Sequence, residues 1–299
     1  MRSASSRGAL AAVCAFLLWG LFPLYWKALK SVSPGELLCH RIVWSAAFVA
    51  VALALSRRFR EVAAVFRNRR GVAVLLTSSL VISGNWFLYI WAVNAGHVVE
   101  CSLGYYINPL VNALLGVVFL RDRLRPLQIA AIGLAAFGVA VSVAGYGEFP
   151  WISLTLAVSF GFYGLLRKVA AVESLPGLFF ETALLTIPGA VYLVFLEVTG
   201  EAAFGHADFR INALLVGAGL ATSLPLVLFA YAARRITLPA LGVAQYIAPT
   251  CMFILGVWLY GEPLGTTGIL TFAFIWAGVL LYVGEGLHFM RRAAGLGRA

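Results

Sequence analysis

Polar and aromatic side chains stand within several long apolar runs of this 299-residue chain. Tyr105, Asn108 and Asn112 are spaced i, i+3 and i+7, so they share one face of a helix. When the apolar run that contains Gln245 is aligned with the run that contains Tyr105, Gln245 takes the position of Tyr105. An amide in hydrocarbon needs a hydrogen-bond partner or a water-filled cavity, so these groups can line a pathway for a polar solute.

A larger set is predicted to contact a substrate: Asn85, Trp86, Tyr89, Tyr105, Asn108, Asn112, Gln245 and Tyr246. Beside Asn85, the rings of Trp86 and Trp91 can form an aromatic wall for an apolar or cationic group. Two alternatives stay open. The amides can hydrogen-bond between helices, which contributes about 0.6 to 2 kcal/mol per contact, and the rings can pack against lipid.

Three ionisable side chains also fall inside apolar runs. His40 and Arg41 lie in the second turn of one run, and Glu181 occupies almost the inverted position of a later run. A charge at the bilayer centre costs about 2.5 to 3.5 kcal/mol or more, so each group needs a partner or water. We predict that they gate access or carry charge or protons. The alternatives are extension of Arg41 to the headgroups, and an ion pair of Glu181 with Arg167 or Lys168.

A duplicated stretch is expected to bring these groups together. The segment 101–124 has an echo that begins near Ala240, and both copies contain a Tyr-Ile-x-Pro interruption, at Pro109 and Pro249. A proline within a helix frees a carbonyl, which is tolerated in a membrane only where protein or a water-lined cavity satisfies it. Matching helix breaks in the two halves therefore predict a site between them.

The composition is that of a polytopic membrane protein. Hydrophobic residues make up 62% of the chain and charged residues 11%, and the mean hydropathy is +0.93. The net charge of +10 does not indicate a nucleic-acid partner, because the cations lie between apolar runs and not along one face. The four cysteines have no pairing or metal-binding pattern, and there is no phosphate-binding loop, so no metal or cofactor is expected.

The sequence predicts ten membrane-spanning helices, at residues 8–28, 35–55, 72–94, 98–120, 127–145, 149–166, 176–197, 211–233, 237–259 and 264–286. With the N-terminus in the cytoplasm, most of the 22 lysines and arginines lie on the cytoplasmic side. The four cations on the other side of the membrane are Lys27, Lys30, Arg41 and Arg210. The bias predicts that both termini are cytoplasmic.

Each half of the chain carries five spans, so the two halves have opposite orientations. The fourth span ends in Arg121-Asp122-Arg123, typical of an inner loop, whereas its echo ends in Gly261-Glu262-Pro263, which lacks cations. The predicted fold is therefore an all-α polytopic membrane protein of two inverted five-helix repeats, at residues 1–147 and 148–299.

The motifs together resemble those of the drug/metabolite transporter superfamily, of the ten-span EamA type and its RarD branch. They cover the segments 19–27, 40–44, 84–94, 102–112, 162–168, 245–250 and 271–276. The resemblance implies secondary export of small metabolites from bacteria, across the inner membrane, with amino acids and drug-like compounds as substrate classes. One departure is that Ala248 and Met252 stand in the second half where the first has Asn108 and Asn112.

We expect the two halves to alternate access to a central cavity for a small-molecule substrate, with the lipid bilayer as the other partner. An intramembrane enzyme is disfavoured, because HExxH and GxSxG motifs are absent from the sequence. A passive channel is harder to separate from a carrier by sequence. The oligomeric state is not readable, since lipid-facing and protein-facing apolar surfaces have similar compositions.

Overall fold

A computed structural model describes residues 2–121, 123–170, 172–233, 235–236 and 238–296, and these ranges contain helices and no strand. Ten helical segments are long and apolar enough to cross a membrane, and we number them spans 1 to 10. They are Ser6–Ala28, Pro34–Leu55, Arg69–Ala95, Val98–Leu120, Pro126–Tyr146, Trp151–Ala170, Leu175–Thr199, Phe209–Ala233, Ala240–Leu259 and Thr266–Gly286. The ten predicted spans are confirmed.

Several helices differ in extent from the span they form. Span 1 consists of two helices, Arg2–Gly20 and Phe22–Ala28. The helices of spans 7 and 10 run over Ser174–Thr199 and Thr266–Leu296. A short helix, Phe59–Val65, lies in the arginine-rich connection between spans 2 and 3.

Local signals fix where the helices begin and end. The Ser33 hydroxyl accepts from the Glu36 N–H at 3.2 Å, and the Asn68 side chain accepts from the Gly71 N–H at 3.2 Å. Each bond satisfies an N–H group that has no partner within its helix. Span 7 is followed by Gly200 at φ 75°, a left-handed conformation that glycine adopts without strain. The short connections then make successive spans antiparallel.

Eight of the spans form a closed ring. Followed around the bundle, the helix contacts give the order 1, 8, 2, 7, 3, 6, 4, 9 and back to 1. Spans 5 and 10 pack on each other outside the ring, beside spans 4 and 9. The ring has two ends. The basic end carries the connections between spans 2 and 3, 4 and 5, 6 and 7, and 8 and 9, and the opposite end carries the remaining ones.

Glycines allow some ring neighbours to approach closely. A Cβ atom on Gly219 of span 8 would overlap the backbone of Trp44 and Ser45 on span 2. A Cβ on Gly104 of span 4 would lie 2.6 Å from the carbonyl oxygen of Ser153 on span 6. Small residues at such crossings let backbones pack without intervening side chains, which is how helices associate in lipid.

The two prolines behave differently, and the helix break predicted at Pro109 is wrong. Span 4 continues as one helix through the buried Pro109, although the proline removes one backbone hydrogen bond. Span 9 is interrupted between the helices Leu238–Ala244 and Ile247–Ile254, and a π-helical turn follows at Leu255–Leu259. Pro249 lies in the first turn after this break, where its missing N–H is not needed.

Candidate functional site

Arg41 projects from span 2 into the centre of the ring and is only 4% exposed. Its Nε donates to Thr222 Oγ1 of span 8 at 2.8 Å. The guanidinium carbon lies 4.1 Å from the ring centroid of Trp86 on span 3 and 5.2 Å and 5.8 Å from those of Trp26 and Phe22 on span 1. Spans 1 and 3 are not neighbours of span 2 around the ring, so these contacts cross its centre. Arg41 therefore does not extend to the headgroups.

Two tyrosines complete the group around Arg41. The rings of Tyr89 and Tyr105 meet edge to face with centroids 5.7 Å apart. The Tyr89 hydroxyl lies 3.7 Å from Met252 Sδ, so spans 3, 4 and 9 also meet at the centre. Both tyrosines pack in the same hydrophobic cluster as Phe22 and Trp26, whose rings face the Arg41 guanidinium. We call Arg41, Trp86, Tyr89 and Tyr105 the central cluster.

The predicted amides connect span 6 to its two ring neighbours. From span 3, Asn85 Nδ2 donates to the Leu156 carbonyl at 3.1 Å. From span 4, Asn108 Nδ2 donates to the Ala157 carbonyl at 3.1 Å, and Asn112 Nδ2 donates to Asn108 Oδ1 at 3.0 Å. Interhelical bonding, the alternative given above, describes Asn85 and Asn108. Substrate contact at the three amides stays a prediction.

The two Tyr-Ile-x-Pro segments lie side by side. The rings of Tyr106 and Tyr246 stack with centroids 6.1 Å apart, and the Tyr106 ring meets Trp276 of span 10 at 5.9 Å. Gln245 lies at the break in span 9. The expected proximity of the segments is confirmed, and Tyr246 packs where span 10 joins the ring. Substrate contact at Gln245 and Tyr246 stays a prediction.

Glu181 is 1% exposed and lies in the half of span 7 near the basic end. Its Oε1 accepts a hydrogen bond from Ser78 of span 3 and lies 3.7 Å from Arg167 Nη1 of span 6. The Tyr163 hydroxyl donates to its other oxygen at 3.3 Å. The ion pair with Arg167, foreseen as an alternative, is present, and a gating role for Glu181 stays a prediction.

At the opposite end, the first half of the chain clamps a loop of the second. Glu36 Oε1 accepts from the backbone N–H groups of Ala203 and Phe204 at 2.8 and 2.9 Å. His40 Nε2 lies 3.9 Å from the same oxygen, and Trp44 Nε1 donates to His40 Nδ1 at 3.3 Å. Since Nδ1 accepts, the proton of a neutral His40 is on Nε2, which faces the carboxylate.

A second carboxylate makes the reciprocal connection at the same end. Glu262, in the loop after span 9, accepts from the N–H groups of Val98 and Val99 at 2.8 and 2.7 Å. These residues begin the helix of span 4, whose N-terminal N–H groups are free and attract negative charge. Burial raises the pKa of Glu262 more than these bonds lower it. We call the Glu36 and Glu262 contacts the two carboxylate clamps.

Sequence reasoning missed both clamps, because their acceptors bind backbone groups on segments far away in sequence. Weak signals did exist. Glu36 follows Ser33-Pro34-Gly35 at the start of a helix, and Glu262 is an acid in a loop without cations.

A cleft of about 220 Å³ opens at the basic end, between spans 7 and 8. Its apolar wall includes Leu178 and Leu226, and Arg58 and Arg235 lie at its rim. Leu178 and Leu226 also pack in the same hydrophobic cluster as Trp86. Leu178 and Leu226, which we call the Leu178–Leu226 layer, therefore belong both to the wall of the cleft and to the apolar packing around Trp86.

The fold and the site define a multi-pass helical membrane protein built around a polar centre. The chain belongs to the EamA-like transporter family, whose profile matches residues 6–144 and 150–284. It is therefore a bacterial inner-membrane transporter of small molecules and not an enzyme.

Relatives and a solved structure agree with this placement. The chain is 45% identical to an "Uncharacterized transporter" of Vibrio cholerae, over 97% of each chain. It is 42% identical to "Protein RarD" of Salmonella typhi, over 96% of this chain and 97% of the relative. A solved crystal structure with 21% identity aligns with a TM-score of 0.58, over 94% of this chain and 98% of that one, and supports the fold.

Proposed function

We propose that this transporter exports small amphipathic metabolites, amino acids among them, by alternating access through the centre of the eight-helix ring. The observation that carries the proposal is the central cluster, where a buried arginine and three aromatic rings from spans 2, 3 and 4 converge. A polar group at this depth is costly in a membrane unless it serves a solute pathway or has a partner.

The helix packing supports two inverted repeats, residues 1–147 and 148–299. If each of spans 1 to 5 is exchanged with the span five places later, the order of spans around the ring is unchanged when it is read in the opposite direction. The pair formed by spans 5 and 10 is also unchanged. Because each repeat has an odd number of spans, such a two-fold relation inverts one repeat relative to the other. Repeats of this kind can rock against each other around a central site.

The two carboxylate clamps then act as an outer gate. Each links one repeat to the other, and both lie at the end opposite to the arginine-rich loops. With the basic end in the cytoplasm, as the charge bias favours, both termini are cytoplasmic and this conformation is closed to the outside. The cleft between spans 7 and 8 then opens to the cytoplasm, from which an exporter takes its substrate.

Counterflow in proteoliposomes tests the proposal. Vesicles preloaded with an unlabelled amino acid should accumulate the labelled compound faster than empty vesicles, and the panel should cover the common amino acids. Trp86→Ala should slow this exchange several-fold, because a ring beside a cation contributes about 0.5 to 2 kcal/mol. Trp258→Ala, on a tryptophan that is 77% exposed, is the matched control.

The outcomes separate the candidates. Equal influx into loaded and empty vesicles would indicate a channel, and no exchange of any compound would contradict export of this class. Equal exchange by Trp86→Ala and the parent would move the site away from the central cluster.

A further inference from the structure

The Arg41 guanidinium lacks an anionic partner. A guanidinium carries five N–H donors and no acceptor. Nε is used by Thr222, whereas Nη1 is buried and has no hydrogen-bond partner. The faces of Trp86 and Trp26 attract the cation but do not replace a directional acceptor.

The acids buried in the ring are engaged elsewhere. Glu36 accepts two backbone N–H groups of the loop after span 7, and Glu181 faces Ser78 and Arg167. Among the residues that the structure describes, no carboxylate forms an ion pair with Arg41. The charge at the centre of the ring is therefore uncompensated by the protein itself.

We infer that Arg41 binds the carboxylate of the transported molecule, and that the substrates are small monocarboxylates with an apolar body. The inference rests on the proposed function and names the substrate class of that same site. A carboxylate pairs with a guanidinium through two N–H···O bonds, so it supplies the anionic partner that the protein does not. The rings of Trp86, Tyr89 and Tyr105 provide apolar surface for the remainder of the molecule.

The same geometry explains why the site is closed when empty. Nη1 is fully buried, so a carboxylate reaches it only after the packing around Arg41 has opened, and the Leu178–Leu226 layer packs with Trp86 on the side of the cleft. Binding of the carboxylate then gives the guanidinium its missing partner and stabilises the opened arrangement. Loading from the basic end and recognition of charge are thus coupled at one residue.

Ligand-induced thermal stabilisation of the purified full-length protein tests the inference. The probes are the common L-amino acids, the carboxamide of each, and inorganic phosphate. The variants are Arg41→Gln, Arg41→Lys and Thr222→Val. Arg210→Gln, which removes an exposed arginine, is the matched control for loss of charge.

We expect at least one amino acid to stabilise the parent with an apparent Kd at least tenfold lower than that of its carboxamide. Arg41→Gln should bind acid and amide equally, Arg41→Lys should retain a preference for the acid, and Arg210→Gln should match the parent. If Arg41→Gln does not fold, Thr222→Val decides. It frees Nε for the ligand, so it should keep or increase the preference for the acid.

Three results would overturn the inference: equal binding of acid and amide by the parent, no stabilisation by any amino acid, or preference for phosphate. Binding in detergent is independent of transport. Acid preference without counterflow would therefore contradict the proposed function and leave the Arg41 assignment standing. Counterflow of compounds that lack a carboxylate would contradict the assignment and leave transport standing.

Discussion

Glu262→Ala should release the outer gate on one side. The substitution removes the acceptor for the N–H groups of Val98 and Val99. A hydrogen bond to a charged group contributes about 1.5 to 3 kcal/mol. Desolvation raises the pKa of Glu262 and offsets part of the free energy that the two hydrogen bonds contribute. We therefore count the two bonds as one in the estimate. Since ~1.4 kcal/mol is a factor of ten, the ratio of closed to open conformers should fall roughly 10- to 150-fold.

Distances between spin labels on Ala95→Cys and Thr266→Cys, both exposed positions at this end, measure the change. The background replaces the native cysteines Cys14, Cys39, Cys101 and Cys251. The parent should give one short distance, and Glu262→Ala should add a longer one. Glu148→Ala, an exposed acid at the same end, is the control. An unchanged distance distribution in Glu262→Ala would refute the assignment of this clamp as a gate.

Three further predictions concern packing, the amides and pH. Gly219→Val should lower the free energy of unfolding by about 1 to 3 kcal/mol in detergent denaturation, because the added Cβ would overlap the backbone of span 2. Gly133→Val is the control and should match the parent, because a Cβ at Gly133 would have no atom within 4 Å. Asn108→Ala should lower the free energy of unfolding by about 0.6 to 2 kcal/mol, because the bond to the Ala157 carbonyl is lost, and should change the order of substrate preference in counterflow. An unchanged order would leave Asn108 with the interhelical bond alone. Burial raises the pKa of Glu262, so the conformer in which Glu262 is buried and bonded to Val98 and Val99 binds more protons than a conformer that exposes it. Acidification from above the raised pKa should therefore favour the closed conformer. A longer distance between the spin labels at low pH would contradict this.

Arg41 illustrates how far the sequence could predict the site. Its place in an apolar run identified it as a candidate, but extension to the headgroups and burial give the same sequence pattern. The ring order decides between them, because it brings Trp26 and Trp86 from non-adjacent spans onto the same cation. That order depends on which helices pack together, which hydropathy does not encode since all ten are apolar.

Span 4 shows a second limit. Tyr105 and Asn108 are three residues apart and differ by about 60° around the helix. That small rotation is enough for Tyr105 to meet Tyr89 of span 3 while Asn108 bonds to span 6. A shared face in the sequence therefore did not imply a shared environment. The spans and the neighbouring Tyr-Ile-x-Pro segments, by contrast, follow from length, hydropathy and duplication.

A structure of the full-length protein in a lipid nanodisc with an exchanged amino acid tests the central claim most directly. We predict density for the ligand inside the eight-helix ring, with its carboxylate within hydrogen-bond distance of Arg41 and its side chain against Trp86. Ligand density outside the ring, for example beside Tyr246 and span 10, would contradict the account.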